Sequence, residues 1–259
     1  IGDPPIRFKE DPVRLLRVIR FSTKLNFKID AKTAAPMYRL AKTLQQVSAP
    51  RLFEECLKLF LNGHAVANYK LLSKYNFMFY LMPYLTELTI STDRAKRLVS
   101  NILTNTDQRV RSGKSVTPSF TYAALLWPTV QKESLKYLKS GKSAYMAQKH
   151  AADEVISKQI QIIAIPKRYT SAIREIWQLQ LLLQKKQGAA RLMSNPRFRA
   201  AYDLLILREY SGESLDGIGM WWTKYQAQHH PKKFKTQKAR PYKKSKRQTY
   251  FLPKIEGDF

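Results

Sequence analysis

Residues 49–64 read APRLFEECLKLFLNGH, and this stretch predicts the fold class. Its apolar side chains recur at every third or fourth position, which is the spacing of one face of an α-helix. The pair Asn62-Gly63 then provides a typical helix stop. The same spacing returns along most of the chain, whereas the period-two alternation of β-strands is nearly absent. We therefore predict an all-α fold.

Further helices are predicted on both sides of this stretch. Upstream, Asp11 followed by Pro12 is a typical helix start, with a carboxylate at the N-cap and proline at the first helical position. That helix runs to Phe21, and Asp30 would cap a second helix over residues 31–46. Downstream, helices are predicted over 65–74, from 93 to about Gly113, in PSFTYAALLWP with an end near Pro128, and over 133–138, 145–163, 169–186 and 197–209.

The charge of the chain indicates its class of partner. The 259 residues include 46 Lys and Arg against 19 Asp and Glu, for a formal net charge of +27 and a pI near 10.2. Such an excess favours a polyanionic partner, with nucleic acid first and an anionic membrane surface second. No window approaches the ~18 apolar residues that a membrane-spanning helix requires, so we predict no membrane span.

Motifs for catalysis and metal binding are absent from the sequence. There is no GxxxxGK[ST] loop, no GxGxxG and no DxD pair, and the GESLDG stretch at 212–217 is interpreted as a turn. The four histidines have no metal-site spacing, and Cys56 is the single cysteine, which excludes a disulfide framework. We predict no catalytic or metal-ligating residue in this chain and a reducing, cytoplasmic compartment.

The composition changes from His229 onward. Residues 229–254 contain many lysines and arginines and no acidic residue, which predicts a basic, disordered tail that binds an anionic partner. The interleaved Phe234, Tyr242, Tyr250 and Phe251 suit stacking on the bases of single-stranded nucleic acid. A solubilising tail or a localisation signal is the alternative. The candidate RNA-binding residues of the tail are Lys232, Lys233, Lys243, Lys244, Lys246 and Arg247.

The stretch KEDPVRLLRVIRF, residues 9–21, carries charge on a helix that is otherwise apolar. At helical spacing its polar residues form one stripe. Asp11 as an N-cap with Arg14 as its i,i+3 partner is a sufficient structural explanation, worth ~1 kcal/mol. The functional alternative is base recognition, because a carboxylate acceptor beside guanidinium donors matches the amine and ring nitrogens of adenine. The pattern alone leaves both open.

This stretch resembles the EDxxR motif of the bacterial poly(A) polymerase and tRNA nucleotidyltransferase family, and PRLFEECLK at 50–58 looks like the next motif of its helical neck. The resemblance implies that Asp11 and Arg14 face the base of the incoming nucleotide and that Glu10 and Arg17 brace the helix. The same resemblance implies that three residues of the second motif support the neck: Arg51, Glu54 and Glu55.

Two later blocks, AIPKRYTSAIREIWQLQ at 164–180 and NPRFRAAYDLLILRE at 195–209, are similar to the C-terminal region of the polymerase branch. Phosphate contacts are expected from Lys167, Arg168, Arg197 and Arg199, although each pair is equally explained as a solvated helix end. The family's head domain, with its GxS and DxD elements, has no counterpart in the chain. ATP is then the expected substrate, and Mg²⁺ is expected only with the head.

The resemblance implies an organisation and a function. The expected regions are a neck over 1–63 for base recognition, a helical body over 64–128, an RNA-binding region over 129–228 and the tail over 229–259. The expected function is the C-terminal portion of a polynucleotide adenylyltransferase that acts on single-stranded RNA 3′ ends and is inactive without its head, with RNA-decay proteins as further partners. A CCA-adding tRNA nucleotidyltransferase and a non-catalytic RNA-binding protein are the alternatives.

Overall fold

The structure is a computed structural model that describes residues 2–229, and the regular elements within that range are all helical. The first nine elements are α1 (Pro4–Glu10), α2 (Val13–Leu25), α3 (Ala31–Ala34), α4 (Met37–Leu40), a 3-10 helix (Ala41–Gln46), α5 (Ala49–Phe60), α6 (Ala65–Lys74), α7 (Phe77–Leu81) and α8 (Pro83–Ser91). The remaining elements are α9 (Asp93–Arg111), α10 (Pro118–Lys139), α11 (Ala144–Ile162), α12 (Lys167–Lys185), α13 (Ala189–Met193), α14 (Phe198–Tyr210) and α15 (Ile218–His229). The all-α prediction is confirmed.

Helix α5 has the amphipathic character that its sequence predicts. Its buried face includes Leu52, Phe53, Cys56 and Phe60, and the helix packs against α2, α6 and α11. The predicted stop is confirmed, because α5 ends at Phe60 and Gly63 has a φ of +80°, a conformation that favours glycine. Helix α5 therefore lies between the first helices of the chain and the C-terminal half.

The predicted helix end near Pro128 is wrong. Helix α10 continues through Pro128 to Lys139, so the short buried helix and the helix predicted over 133–138 are one element. Proline inside a helix removes one hydrogen bond and costs ~3 kcal/mol or more. Residues 119–130 of α10 are all buried, and the helix packs against α8, α9, α11, α12 and α14. The burial of this helix on several sides offsets the local cost.

The single helix predicted over residues 31–46 is also wrong. The Asp30 cap is present, since its carboxylate accepts hydrogen bonds from the backbone N–H groups of Lys32 and Thr33. The helix stops at Ala34, α4 starts after Pro36, and the segment closes as a 3-10 helix. Pro36 has no N–H group to continue the ladder, and this removes the bond that would join the two turns.

One core runs through the described chain, from Phe8 in α1 to Trp222 in α15. Polar contacts join its parts: the buried Asp107 of α9 accepts hydrogen bonds from the N–H groups of Ala65 (2.6 Å) and Val66 (3.1 Å) at the start of α6. The predicted boundary between residues 63 and 64 lies at this junction, and the one after residue 128 lies inside α10.

Within residues 2–229, no helix combines the length and the apolar character that a membrane span requires.

Candidate nucleotide-binding site and RNA interface

Asp11 lies at the junction between α1 and α2. Its backbone is extended (φ −144°, ψ 93°), and its N–H closes α1 by donating to the carbonyl of Arg7. One carboxylate oxygen, Oδ1, accepts a long hydrogen bond from the N–H of Val13 at 3.3 Å, although the N-cap position of α2 is occupied by Pro12, one residue later than the sequence predicts. The other oxygen, Oδ2, accepts from Nη2 of Arg51 at 2.8 Å. The capping explanation therefore accounts for only one of the two oxygens.

Arg14 makes looser contacts than its spacing predicts. Its Nε lies 3.9 Å from Oδ2 of Asp11, and its Nη1 lies 3.8 Å from Oε2 of Glu10. Both distances exceed the ~3.2 Å limit of an N–H···O hydrogen bond. Glu10 is instead bound by Arg7, at 2.7 Å. The guanidinium of Arg14 is thus held near two carboxylates while its N–H donors stay uncommitted to them.

Arg17 is exposed, and its guanidinium carbon lies 6.0 Å from the ring centre of Phe21. Arg20, one turn further along, is more buried: its guanidinium carbon lies 4.4 Å from the same ring, and its Nε lies 3.8 Å from Oε2 of Glu55. Glu55 is 6% exposed and also binds Lys58 at 2.9 Å. The contact that joins α2 to Glu55 therefore comes from Arg20, which sequence reasoning did not assign a role.

The second motif places Arg51 and Glu54 on the outer side of α5. Both side chains are exposed, and Arg51 reaches across to Asp11, 40 positions earlier in the chain. We call the set Glu10, Asp11, Arg14 and Arg51 the neck cluster. It combines two carboxylates with two guanidiniums at a surface where solvent reaches every member. Such a set offers both donors and acceptors to a ligand.

The start of α12 lies beside α5, which brings two predicted regions together. The N–H of Ala164 donates to the carbonyl of Ala49 at 3.1 Å, and the rings of Phe53 and Tyr169 have centres 5.9 Å apart. Lys167 and Arg168 occupy the first turn of α12 and are exposed. The basic first turn of α12 therefore lies at the same end of α5 as the neck cluster.

The other predicted pair, Arg197 and Arg199, lies at the start of α14 with acidic partners. Arg197 binds Glu175 of α12 at 3.2 Å, and Arg199 binds Asp203 at 3.0 Å. Both arginines are about half exposed. The predicted tail residues lie outside the described residues, and these are Lys232, Lys233, Lys243, Lys244, Lys246 and Arg247.

A buried arginine cluster was not predicted from the sequence. Arg208 is 2% exposed and donates to both carboxylate oxygens of Glu213, at 2.5 and 3.0 Å, and to the side chain of Gln180 at 2.7 Å. Its guanidinium also lies 4.6 Å from the ring centre of Trp127. We call these four residues the core cluster. Burial alone would raise the pKa of Glu213, but the hydrogen bonds and charge of Arg208 outweigh it and lower that pKa.

The carboxylates, histidines and cysteine of the described residues are dispersed. Residues 2–229 bring together no group of three or more His, Cys, Asp or Glu side chains that is suited to hold a metal ion. The neck cluster pairs each of its carboxylates with an arginine instead. Because those carboxylates are already bound to arginine, the neck cluster does not fit a Mg²⁺ site.

Comparison with known proteins identifies the family. Residues 26–89 match the family model described as the probable RNA and SrmB-binding site of polymerase A, and residues 140–251 match the model described as the polymerase A arginine-rich C-terminus. Poly(A) polymerase I of Salmonella typhi is 40% identical over 89% of this chain and 51% of its own length. The chain belongs to the bacterial poly(A) polymerase family.

The two branches of this family differ in how much of the chain they match. Poly(A) polymerase I of Haemophilus influenzae is 39% identical over 87% of the chain, whereas the CCA-adding enzyme of Levilactobacillus brevis is 43% identical over only 25% of it. The predicted resemblance to the polymerase branch is thereby confirmed, and the family is one of nucleotidyltransferases. The chain spans about half the length of the poly(A) polymerases it matches, 51%.

Proposed function

We propose that this chain is the base-selecting and RNA-holding part of a template-independent polynucleotide adenylyltransferase, which adds AMP from ATP to RNA 3′ ends. The observation that carries the proposal is the 40% identity to a poly(A) polymerase over 89% of the chain, against 25% coverage for a CCA-adding enzyme. The proposed setting is the bacterial cytoplasm, where A tails promote RNA decay and decay proteins are further partners.

Base selection belongs to the neck cluster in this proposal. A carboxylate accepts up to about four hydrogen bonds, so Asp11 can accept from the exocyclic amine of adenine while it holds Arg51 and the N–H of Val13. Arg14, whose carboxylate contacts are 3.8 and 3.9 Å long, donates to a ring nitrogen. Glu10 and Arg17 keep their proposed bracing role, and Glu54 and Glu55 support α5 with Arg51.

RNA is held by the basic surface. Lys167 and Arg168 lie close to the end of α5 that carries Arg51, so an RNA 3′ end bound at the first turn of α12 approaches the selected base. Arg197, Arg199 and the tail extend the contacts to further phosphates. The reaction joins the RNA 3′-hydroxyl to the α-phosphate of ATP, with pyrophosphate as the leaving group. In the complete enzyme the carboxylates of a head domain would hold Mg²⁺, which would stabilise the charge that develops on the phosphates. The residues of this chain bind ATP and RNA and orient them for that reaction.

The test is the product made by the complete enzyme that contains this chain. With ATP alone and a generic RNA 3′ end, we expect long A tails, whereas addition of single residues confined to truncated tRNA would identify a CCA-adding enzyme. The 259-residue chain alone is expected to bind RNA and to incorporate no ATP. An upstream reading frame without GxS and DxD elements would favour a non-catalytic RNA-binding protein.

A further inference from the structure

A cavity of about 270 Å³ lies between the end of α9, the start of α10, the middle of α12 and the start of α14. Its lining includes Arg109 of α9, Ser119 and Phe120 of α10, and Arg199 and Asp203 of α14. Arg109 and Ser119 lie outside both segments that match the family models, which cover 26–89 and 140–251. The cavity is therefore built partly from residues to which no role has been assigned.

The polar wall of this cavity is an arginine cluster organised by one carboxylate. Asp203 binds Arg109 at 3.3 Å and Arg199 at 3.0 Å, so it holds guanidiniums from two helices side by side. Arg197 also lines the cavity, and its own partner, Glu175, does not. The lining therefore carries three guanidiniums against one carboxylate, a combination that favours an anion with several oxygen atoms.

The rest of the lining suits a sugar and a base. Phe120 and Ile176 are buried and give an apolar floor. Ser119 is 8% exposed, and its hydroxyl takes part in none of the side-chain hydrogen bonds within residues 2–229. Ser115 and Thr117 place two further hydroxyls at the rim. The cavity thus combines an apolar floor, hydroxyl groups and a cationic wall.

We propose that this cavity binds one nucleotide of a single-stranded RNA, with its phosphate between Arg109 and Arg199 and its ribose and base over Phe120. The proposal rests on the proposed RNA-binding function and assigns that function a specific subsite. A volume of about 270 Å³ is just below the ~300–1,000 Å³ typical of pockets for drug-sized ligands, so the cavity takes one nucleotide unit.

Asp203 competes with the phosphate for the same arginines. Burial raises the pKa of Asp203, although the nearby charges of Arg199 and Arg109 act in the opposite direction. Its carboxylate therefore stands in a partly desolvated wall where a second anion meets repulsion. Asp203→Asn keeps an oxygen that accepts from arginine and removes the charge, and it is expected to tighten RNA binding about threefold.

The experiment measures binding of a fluorescent A10 RNA to the 259-residue chain by anisotropy, at several salt concentrations. Arg109→Gln and Arg199→Gln are each expected to weaken binding about tenfold, and to lower the salt slope by ~0.7, the value for one phosphate of a single strand. Arg174→Gln is the matched control, because Arg174 is also partly exposed and also binds an aspartate, Asp153, at 2.8 Å on the side of α11. Its expected change is below twofold.

Other outcomes separate this inference from the function on which it rests. If the wild-type chain does not bind A10 at low salt, the proposed RNA-binding function fails. If it binds, and both cavity variants match Arg174→Gln in affinity and salt slope, the subsite alone is overturned. AMP is tested in parallel by calorimetry: loss of AMP binding with unchanged A10 binding would identify a free-nucleotide site and overturn the RNA assignment. Circular dichroism melting curves confirm that each variant is folded.

Discussion

The neck cluster and the core cluster are built from the same chemical groups, and they differ in how much water reaches them. In the neck cluster the side chains of Asp11, Arg14 and Arg51 are 21%, 32% and 52% exposed, and the guanidinium of Arg14 has no carboxylate oxygen closer than 3.8 Å. In the core cluster Arg208 is 2% exposed and its donors reach Glu213 and Gln180 within 3.0 Å. Arginine next to carboxylate therefore indicates neither binding nor stability until burial is known.

Exposure decides what each cluster contributes. Exposed ion pairs stabilise a fold by only ~0–1 kcal/mol, because water and salt screen them. A buried pair whose partner is removed leaves an uncompensated charge, and this costs ~3–5 kcal/mol. The neck cluster can therefore exchange its partners for a ligand at low cost, whereas the core cluster is committed to the fold. Four substitutions or conditions test this difference.

Glu213→Ala is expected to have the largest effect. It leaves the buried guanidinium of Arg208 without its carboxylate, so the free energy of unfolding in urea should fall by ~3–5 kcal/mol. Glu10→Ala is the matched control, because Glu10 is an arginine-bound carboxylate that is 48% exposed, and its expected change is within ~0.5 kcal/mol. A loss below ~1 kcal/mol for Glu213→Ala would contradict the assigned role of the core cluster.

Asp107→Ala tests whether a buried carboxylate that has no arginine partner also contributes to the stability of the fold. Asp107 is 4% exposed and accepts two backbone N–H groups that α6 leaves unpaired, at 2.6 and 3.1 Å. Its removal should lower the free energy of unfolding by ~2 kcal/mol, since charge-assisted bonds to a helix start are lost. Asp107→Asn retains one acceptor and should give a smaller loss. Equal losses for the two variants would point to packing instead of capping.

These clusters show which parts of the molecule the sequence can predict. Helices such as α5 were predicted correctly because apolar spacing is a local property that directly sets which face is buried. The helix end predicted near Pro128 and the single helix predicted over residues 31–46 were both wrong, because the effect of a proline depends on the packing of the surrounding chain. In α10 that packing maintains the helix, whereas at Pro36 it does not.

The candidate sites show the same contrast between local spacing, which the sequence predicts, and tertiary packing, which it does not. Asp11 and Arg14 were predicted as neighbours because they are three positions apart on one helix start. The contacts of Asp11 with Arg51 and of Arg109 with Asp203 join residues 40 and 94 positions apart, and no periodicity predicts such pairs. Arg208 looks like an ordinary surface arginine in the sequence. Only the packed structure shows that its position is buried.

Low pH should reduce the contribution of the core cluster to the free energy of unfolding. The pKa of Glu213 in the folded chain is lower than its ordinary value, which is near ~4.3 when unfolded. A lowered folded pKa gives stability that is present above the unfolded pKa and is lost as the pH falls through the folded one. The difference in unfolding free energy between the wild type and Glu213→Gln should therefore shrink below about pH 4. A difference that stays constant down to pH 2 would contradict this linkage.

Arg14→Ala is expected to have the smallest effect on the fold and a clear effect on nucleotide use. Its carboxylate contacts are 3.8 Å or longer, so the loss of stability should be within ~0.5 kcal/mol. In the complete enzyme, loss of a charged donor to adenine should lower kcat/KM for ATP about tenfold and leave RNA affinity within twofold. Deletion of residues 229–259 should do the reverse, because it removes the proposed phosphate contacts of the tail and leaves the proposed base site intact.

Lys24→Ala is the control for this substitution, because Lys24 is an exposed cation on the same helix and lies outside the neck cluster. It should leave both ATP use and RNA affinity unchanged. If Arg14→Ala lowers only the melting temperature, the pair Asp11 and Arg14 is a helix cap and the base-recognition assignment is wrong. An unchanged melting temperature with a selective loss for ATP would instead show that solvent exposure leaves the donors of Arg14 available for a nucleotide, which is the property that distinguishes the neck cluster from the core cluster.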